Sequence, residues 1–154
     1  MVNLKNKAIY TVFLLCISHG SLMAQSEVDQ VKQVIWHYKL ALEALDVSNT
    51  NHLFTSNSKI YETGKSEGSF SNYIEHHIGP ELSHFKSFEF TNYTIDVTVA
   101  EGIAYSTETY NYTIELVNEE RTIVRQGVST SVLIKEDDKW RIHISHNSSR
   151  PIRN

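Results

Sequence analysis

Cysteine is nearly absent from this chain: among 154 residues there is one, Cys16, so no intramolecular disulfide can form. A second long apolar run is absent too. The one run, Ala8 to Ile17, follows Lys5 and Lys7 and precedes small residues up to Ala24, just before Gln25. That is the pattern of a secretory signal peptide over residues 1–24 with cleavage after Ala24, which predicts a secreted or periplasmic chain. The run is too short and its flank too polar for a comfortable membrane span, so no stable membrane insertion is expected after cleavage. Leu15 stands before Cys16 where a lipoprotein signal needs a small residue, which argues against lipidation. The mature chain would then contain no thiol, and a domain exported without disulfides depends on its own hydrophobic core. About 130 residues suffice for one such core and not for two, which gives a single domain over 25–154.

Basic charge is also scarce. Lysine and arginine number 14 against 18 aspartates and glutamates, and loss of Lys5 and Lys7 takes the formal charge from -4 to -6. Phosphate backbones are bound by basic stripes, so nucleic acid is excluded as a partner, and anionic membrane surfaces are disfavoured for the same reason. No internal repeat, low-complexity tract or interdomain linker interrupts the chain. The His-Glu-x-x-His motif of metal-assisted hydrolysis is missing as well. Nucleophilic hydrolysis is poorly supported, since Ser145, Ser148 and Ser149 lie near histidines only along one strand, which does not give triad geometry.

What is present is a change of period along the chain. After Ser26, a suitable N-cap, apolar residues recur at Val28, Val31, Ile35, Tyr38, Leu42 and Leu45, the stripe of one long amphipathic helix ended by the polar cluster Ser48–Asn51. His52-Leu53-Phe54 allows a short second helix, followed by a brief strand around Ile60 to Glu62 and a loop at Gly64 and Gly68. Phe70, Tyr73, Ile74, His77 and Ile78 return to helical spacing, and Gly79-Pro80 is expected to stop that helix and start another turn through Phe85. From Ser87 the period is two. Four long strands are predicted at Ser87–Val99, Ile103–Val117, Arg121–Glu136 and Trp140–Asn147, joined by short polar turns and therefore antiparallel. Phe88 and Phe90 alternate in one phase and Tyr93, Ile95, Val97 and Val99 in the other, so a bulge near Thr91-Asn92 is expected to curve the sheet. Helices followed by a curved antiparallel meander make an α+β domain, with the long helix on the concave face.

This order of elements, closed by Trp140-x-Ile142 and His146-x-Ser148, resembles the nuclear transport factor 2-like superfamily and its SnoaL-like branch, common among small exported bacterial proteins. Tyr73 to Leu82 and Thr107-Glu108-Thr109-Tyr110 are similar to segments of such members. The resemblance implies a cone-shaped domain whose wide end opens to a pocket. It implies no single activity, since the group holds isomerases, cyclases, dehydratases and members that only bind or dimerise. Members similar to ketosteroid isomerase set an acidic base beside an oxyanion-stabilising tyrosine or acid, and the nearest arrangement here is Glu108 with Tyr110 or Tyr112.

Strand periodicity puts Trp140, Ile142, Ile144 and His146 on one face, so an imidazole is expected to end an apolar row, either as a core histidine satisfied by its neighbours or as the polar end of a pocket. Glu108 falls on the more apolar face of its strand with Ala104, Ser106, Tyr110 and Tyr112. A carboxylate there is costly unless paired, and burial would raise its pKa toward that of a general base. The plain alternative is a strand-end glutamate reaching water. His77 is on the apolar face of its helix, and His76 about a quarter-turn away. Tyr73, His77, Glu108, Tyr110 and His146 are therefore the expected ligand-binding lining, with Glu108 and His146 the catalytic candidates. No cofactor is expected, with a transition metal such as zinc or copper at His77, Glu108 and His146 the alternative to a structural hydrogen-bond network. Glu81 and His84 read as a solvated turn, His143 as a residue of the outer sheet surface and Arg150 as a terminal surface arginine. Three functions follow: a small-molecule-binding domain, an isomerase, dehydratase or cyclase moving a proton through Glu108 or His146, or an interaction domain forming a homodimer through the outer sheet face around Tyr105.

Overall fold

The computed structural model describes residues 27–118 and 120–152. The signal-peptide expectation, the Ala24 cleavage point and the Ser26 cap lie outside the described residues. No described helix is long and apolar enough to cross a membrane.

Helix α1 (residues 27–43) buries its predicted stripe: Val31 and Ile35 enter the core, with Val34, Tyr38, Ala41 and Leu42 packed against it. It ends earlier than the polar cluster suggested. Leu45 takes a left-handed conformation (φ 56°), and the Asp46 carboxylate accepts hydrogen bonds from the backbone N–H and the hydroxyl of Ser48 at 2.9 and 2.6 Å. A left-handed residue followed by an Asp-closed turn is a common way to leave a helix.

Behind a single 3₁₀ turn (Asn51–Leu53), β1 runs over Phe54–Glu62 and pairs with β2 (Lys65–Gly68). The expected loop at Gly64 is thus a tight hairpin, for which Thr63 (φ 46°) and Gly64 (φ 83°) supply the two positive φ angles that a type I′ turn needs. The next helical stretch, α2 (Phe70–Tyr73), a π turn (Ile74–Ile78) and α3 (Gly79–Leu82), starts at Ser69, whose hydroxyl accepts from the Asn72 N–H at 3.3 Å. Gly79-Pro80 does not stop it. The Gly79 N–H reaches back to the Ile74 carbonyl, and this widened turn gives the proline ring room where an α-helix would force it against a carbonyl.

Strands β3 (Phe85–Ala100), β4 (Ile103–Leu116), β5 (Thr122–Glu136) and β6 (Lys139–Pro151) form the predicted antiparallel meander. The sheet order is β2-β1-β6-β5-β4-β3, with β1 parallel to β6 as its one parallel pair. Of the sheet's register shifts, two decide which side chains face inward in β3 and β6. In β3 the shift between Thr91 and Thr94, with Asn92 at φ 51°, is the expected bulge, and it turns both Phe88 and Phe90 and then Tyr93 and Ile95 inward.

The second shift was not expected. Val132 pairs with Ile144 and Leu133 with Ile142, which leaves His143 as an extra residue in β6. An extra residue reverses the alternation beyond it. Trp140 and Ile142 are buried as predicted, but Ser145 is then the buried residue and His146 is exposed, beside Tyr61 and Thr130. The expectation that His146 faces inward is corrected by this bulge. His143 is only partly exposed, its Nδ1 lying 3.0 Å from the hydroxyl of buried Thr55.

The core fills the end of the domain where α1 begins, around Val31, Ala104, Leu133 and Trp140, and Lys135 Nζ meets Glu27 Oε1 there at 2.8 Å. Beneath α2, Phe54 stacks on Phe70 while Tyr38 meets both rings edge-on. Gly127 is the close approach that matters most, because the Tyr110 ring lies across it from the neighbouring strand and an added Cβ would overlap that ring. Gly127→Ala is therefore expected to cost about 1–3 kcal/mol, seen as a Tm lower by roughly 5 °C or more. An unchanged Tm would show that the ring has somewhere else to go.

Candidate functional site

The concave face of the sheet and the inner face of α1 enclose a cup with about 140 Å³ of free volume. That is close to the ~150 Å³ of an apolar cavity able to take a benzene ring. Side-chain size explains why the space exists. On the inner face, register places Glu62, Asn147, Ser129, Glu108 and Ile95 in one row across the sheet, and Ile60, Ser145, Ser131, Ser106 and Val97 in the next. Small hydroxyl residues in the middle of both rows leave room that leucines would fill. Ile35, Tyr38 and Leu42 of α1 face them, and Phe88, Phe90, Tyr93, Tyr110 and Tyr112 form an aromatic wall of edge-to-face and stacked pairs.

Glu108 is the buried carboxylate of this cup, 8% exposed. Tyr93 donates its hydroxyl to Glu108 Oε2 at 2.5 Å. Ser129 Oγ lies 2.7 Å from Asn147 Oδ1, and the amide orientation that sets Nδ2 there instead leaves the serine proton for Glu108. Burial pushes the Glu108 carboxyl up to about 6, and the hydrogen bonds from Tyr93 and Ser129 hold it from rising further. Burial likewise holds the Tyr38, Tyr93 and Tyr110 hydroxyls above their ordinary range, with the Glu108 charge adding to each, so all three keep their protons at neutral pH. Lys39 is buried at the wall, with its Nζ 2.7 Å from Glu43 Oε1 and 4.6–5.5 Å from the ring centroids of Trp36, Phe90 and Tyr93.

Of the five expected lining residues, the fold brings Tyr73, Glu108 and Tyr110 to the cup. Tyr73 is committed to a partner, its hydroxyl donating to Glu62 Oε2 at 2.6 Å. His77 is not part of the wall. It is engaged by carboxylates, with Nδ1 3.2 Å from Glu67 Oε2 and Nε2 3.3 Å from Glu81 Oε1, and its ring packs on Tyr73. His146 lies on the outer surface, so His77, Glu108 and His146 do not converge. Among the described residues no group of three or more histidine, cysteine or acidic side chains is arranged to hold a metal ion. Glu81 is exposed, as expected of a solvated turn, and it also reaches the rim of the cup, where partial burial raises its carboxyl and the nearby His77 opposes the rise.

Lys39, Tyr93, Ser129, Ser145 and Asn147 were not foreseen as site residues. Tyr93 was within reach, because the Asn92 bulge already put it in line with Phe88 and Phe90. Ser145 and Asn147 carry no such signal, since their orientation follows from the His143 bulge.

A family model described as a SnoaL-like domain matches residues 31–153. Among solved structures, a "putative ketosteroid isomerase" from Shewanella frigidimarina is 27% identical, with a TM-score of 0.66 over 77% of this chain and 94% of that one. A nuclear transport factor 2-like superfamily protein from Salmonella enterica is 18% identical with a TM-score of 0.71, covering 88% of this chain and 95% of its own. A "putative scytalone dehydratase" from Novosphingobium aromaticivorans is 17% identical with a TM-score of 0.65, covering 84% and 86%. A search of curated proteins by sequence finds no match.

The Glu108 environment makes two measurable statements. Carbon-detected NMR titration should give this carboxyl a midpoint near 6, and Tyr93→Phe should move it higher by removing a hydrogen bond to the charged form. Because the folded value exceeds the ordinary 4.5, stability is lost as pH rises between the two and the full penalty applies above 6. Glu108→Gln is expected to recover up to about 2 kcal/mol there and almost nothing below pH 4, read by chemical denaturation at both pH values.

Proposed function

We propose that this chain, which belongs to the SnoaL-like domain family of the nuclear transport factor 2-like superfamily, binds a small, partly apolar ligand in its cup, with Glu108 as the polar anchor. The observation that carries this is a carboxylate kept inside an aromatic-walled hollow at a cost in stability. Burying a charge without an ion-pair partner is unfavourable, and where a fold tolerates it in a cleft, binding or catalysis is the usual return. The free volume suits a ligand with about one ring inside, with apolar contacts from α1 and the phenylalanines and hydrogen bonds from the serine-lined sheet.

A second reading is supported by the same carboxyl titrating near neutral pH among tyrosine hydroxyls. In an isomerase- or dehydratase-type reaction, Glu108 takes a proton from the carbon next to a carbonyl as the electron pair moves toward oxygen. Tyr110 or a wall serine donates a hydrogen bond to the developing oxyanion, and the proton then returns to another carbon or leaves with a hydroxyl group as water. The names carried by the Shewanella and Novosphingobium structures support this class of chemistry.

The sequence further supports an exported chain, processed after Ala24. Exposed Tyr105, Val124 and Val128 on the outer sheet face support pairing with a second copy.

Ligand-observed NMR with a panel of monocyclic ketones, phenols, alcohols and amines is expected to find binders whose affinity falls at least about tenfold in Glu108→Ala and several-fold in Tyr93→Phe. Equal affinity in both variants would remove the site. For the second reading, solvent deuterium should enter the α-carbon of a bound ketone in the wild type and not in Glu108→Gln. Native mass spectrometry of the chain recovered from the periplasm of a bacterial host should show twice the mass of a protomer beginning at Gln25. A full-length mass, or a monomer at micromolar concentration, would overturn export or pairing respectively.

A further inference from the structure

We infer that the ligand of the cup carries a positive charge, an alkylammonium or protonated amine attached to a ring-sized apolar group, seated against the Glu108 carboxylate and the rings around it. This rests on the cup being a small-molecule site and goes further, by naming the charge of what enters it.

The electrostatics of the wall lead there. Three carboxylates line the cup, Glu62, Glu81 and Glu108, against one ammonium, Lys39. Lys39 is already neutralised by Glu43 at 2.7 Å. Glu62 and Glu81 have His77 within 3.8 and 3.3 Å. Glu108 is different, since its partners are the hydroxyls of Tyr93 and Ser129, and no described lysine, arginine or histidine forms an ion pair with it. The protein therefore supplies donors to this carboxylate but no counter-charge, and a cationic ligand group would provide what the fold omits. An anionic ligand would meet an excess of negative charge.

The rings beside Glu108 favour the same ligand. Phe90 meets Tyr110 edge-to-face at 5.0 Å and Tyr93 at 6.3 Å, while Tyr93 and Tyr110 lie nearly parallel at 6.1 Å. Several aromatic faces grouped around a hollow attract ammonium groups through their quadrupoles, and most strongly where water is excluded. The site already holds one cation in this way: Lys39 Nζ lies 5.4 and 5.5 Å from the centroids of Phe90 and Tyr93. The groups facing Glu108 from the packed elements are Tyr38 of α1, Tyr93 of β3, Tyr110 of β4, Ser129 of β5 and Asn147 of β6. None of them takes up or releases a proton near pH 6, because burial holds the three tyrosines high.

Three probes of similar size and different charge test this: benzylammonium, benzyl alcohol and benzoate, titrated calorimetrically into wild type and Glu108→Gln. Benzylammonium is expected to bind at least about tenfold tighter than benzyl alcohol, with benzoate weakest. In Glu108→Gln that preference should disappear. At pH 6, in buffers of different ionisation heat, benzylammonium should release a fraction of a proton from the wild type, as its charge drives Glu108 to ionise. The variant should release less, which assigns the proton to Glu108. Benzyl alcohol binding as tightly as benzylammonium overturns the cationic ligand and leaves the cup a ligand site. So does a preference that survives Glu108→Gln. If none of the three binds, the cationic ligand is overturned as well, and the wider panel above decides separately whether the cup binds anything.

Discussion

A strand has a side-chain period of two, and one extra residue reverses it. The make-up of this domain's interior depends most on two of the places where that constraint is broken, at Asn92 in β3 and at His143 in β6. Without the first bulge Phe88 and Tyr93 would face opposite ways, and Glu108 would lose the hydroxyl that holds it. Without the second, Ser145 and Asn147 would point outward and larger groups would crowd the floor of the cup. Bulges of this kind also bend a sheet, which ties its curvature to the composition of the site.

The hollow itself reflects a division of labour between elements. Helix α1 and the aromatic residues of β3 and β4 bring large apolar surface to three sides. The middle of β5 and β6 brings hydroxyls and a glycine, which bury little and occupy little. A core built to maximise burial would not place Gly127, Ser129 and Ser131 on consecutive inward positions, since each forgoes the transfer energy of a larger side chain. Together with a carboxylate held in its unfavourable charged form above pH 6, this is stability exchanged for a receptive interior. Such local concessions are characteristic of sites that bind or transform something.

Much of the architecture was legible before the fold was seen. The period of α1 and the three strands from Phe85 to Glu136 were readable because one face of each is buried and the other is not, so burial writes itself into alternation. The Asn92 bulge was readable because two apolar phases collide within one strand and an asparagine, tolerant of positive φ, stands between them. The inward orientation of Glu108 followed from the neighbours that share its face. Other features left no such trace. The β1–β2 hairpin is short and polar, the parallel pairing of β1 with β6 joins residues 85 or more positions apart, and the π turn at Ile74–Ile78 accommodates a proline that ordinary helix rules treat as a stop.

His146 marks the boundary between the two kinds of information. The alternation Trp140, Ile142, Ile144, His146 is regular, and nothing in those residue types announces that His143 is supernumerary. Its cause lies in the neighbouring strands, whose register has to match β5 on one side and β1 on the other. The amino-acid sequence by itself determined which segments are helix and strand and which face of most of them is buried, because those are properties of local period and hydrophobicity. Only the tertiary structure decided which polar groups meet in the cup, because partners on different strands are set by register, and register is fixed by pairing across the whole sheet.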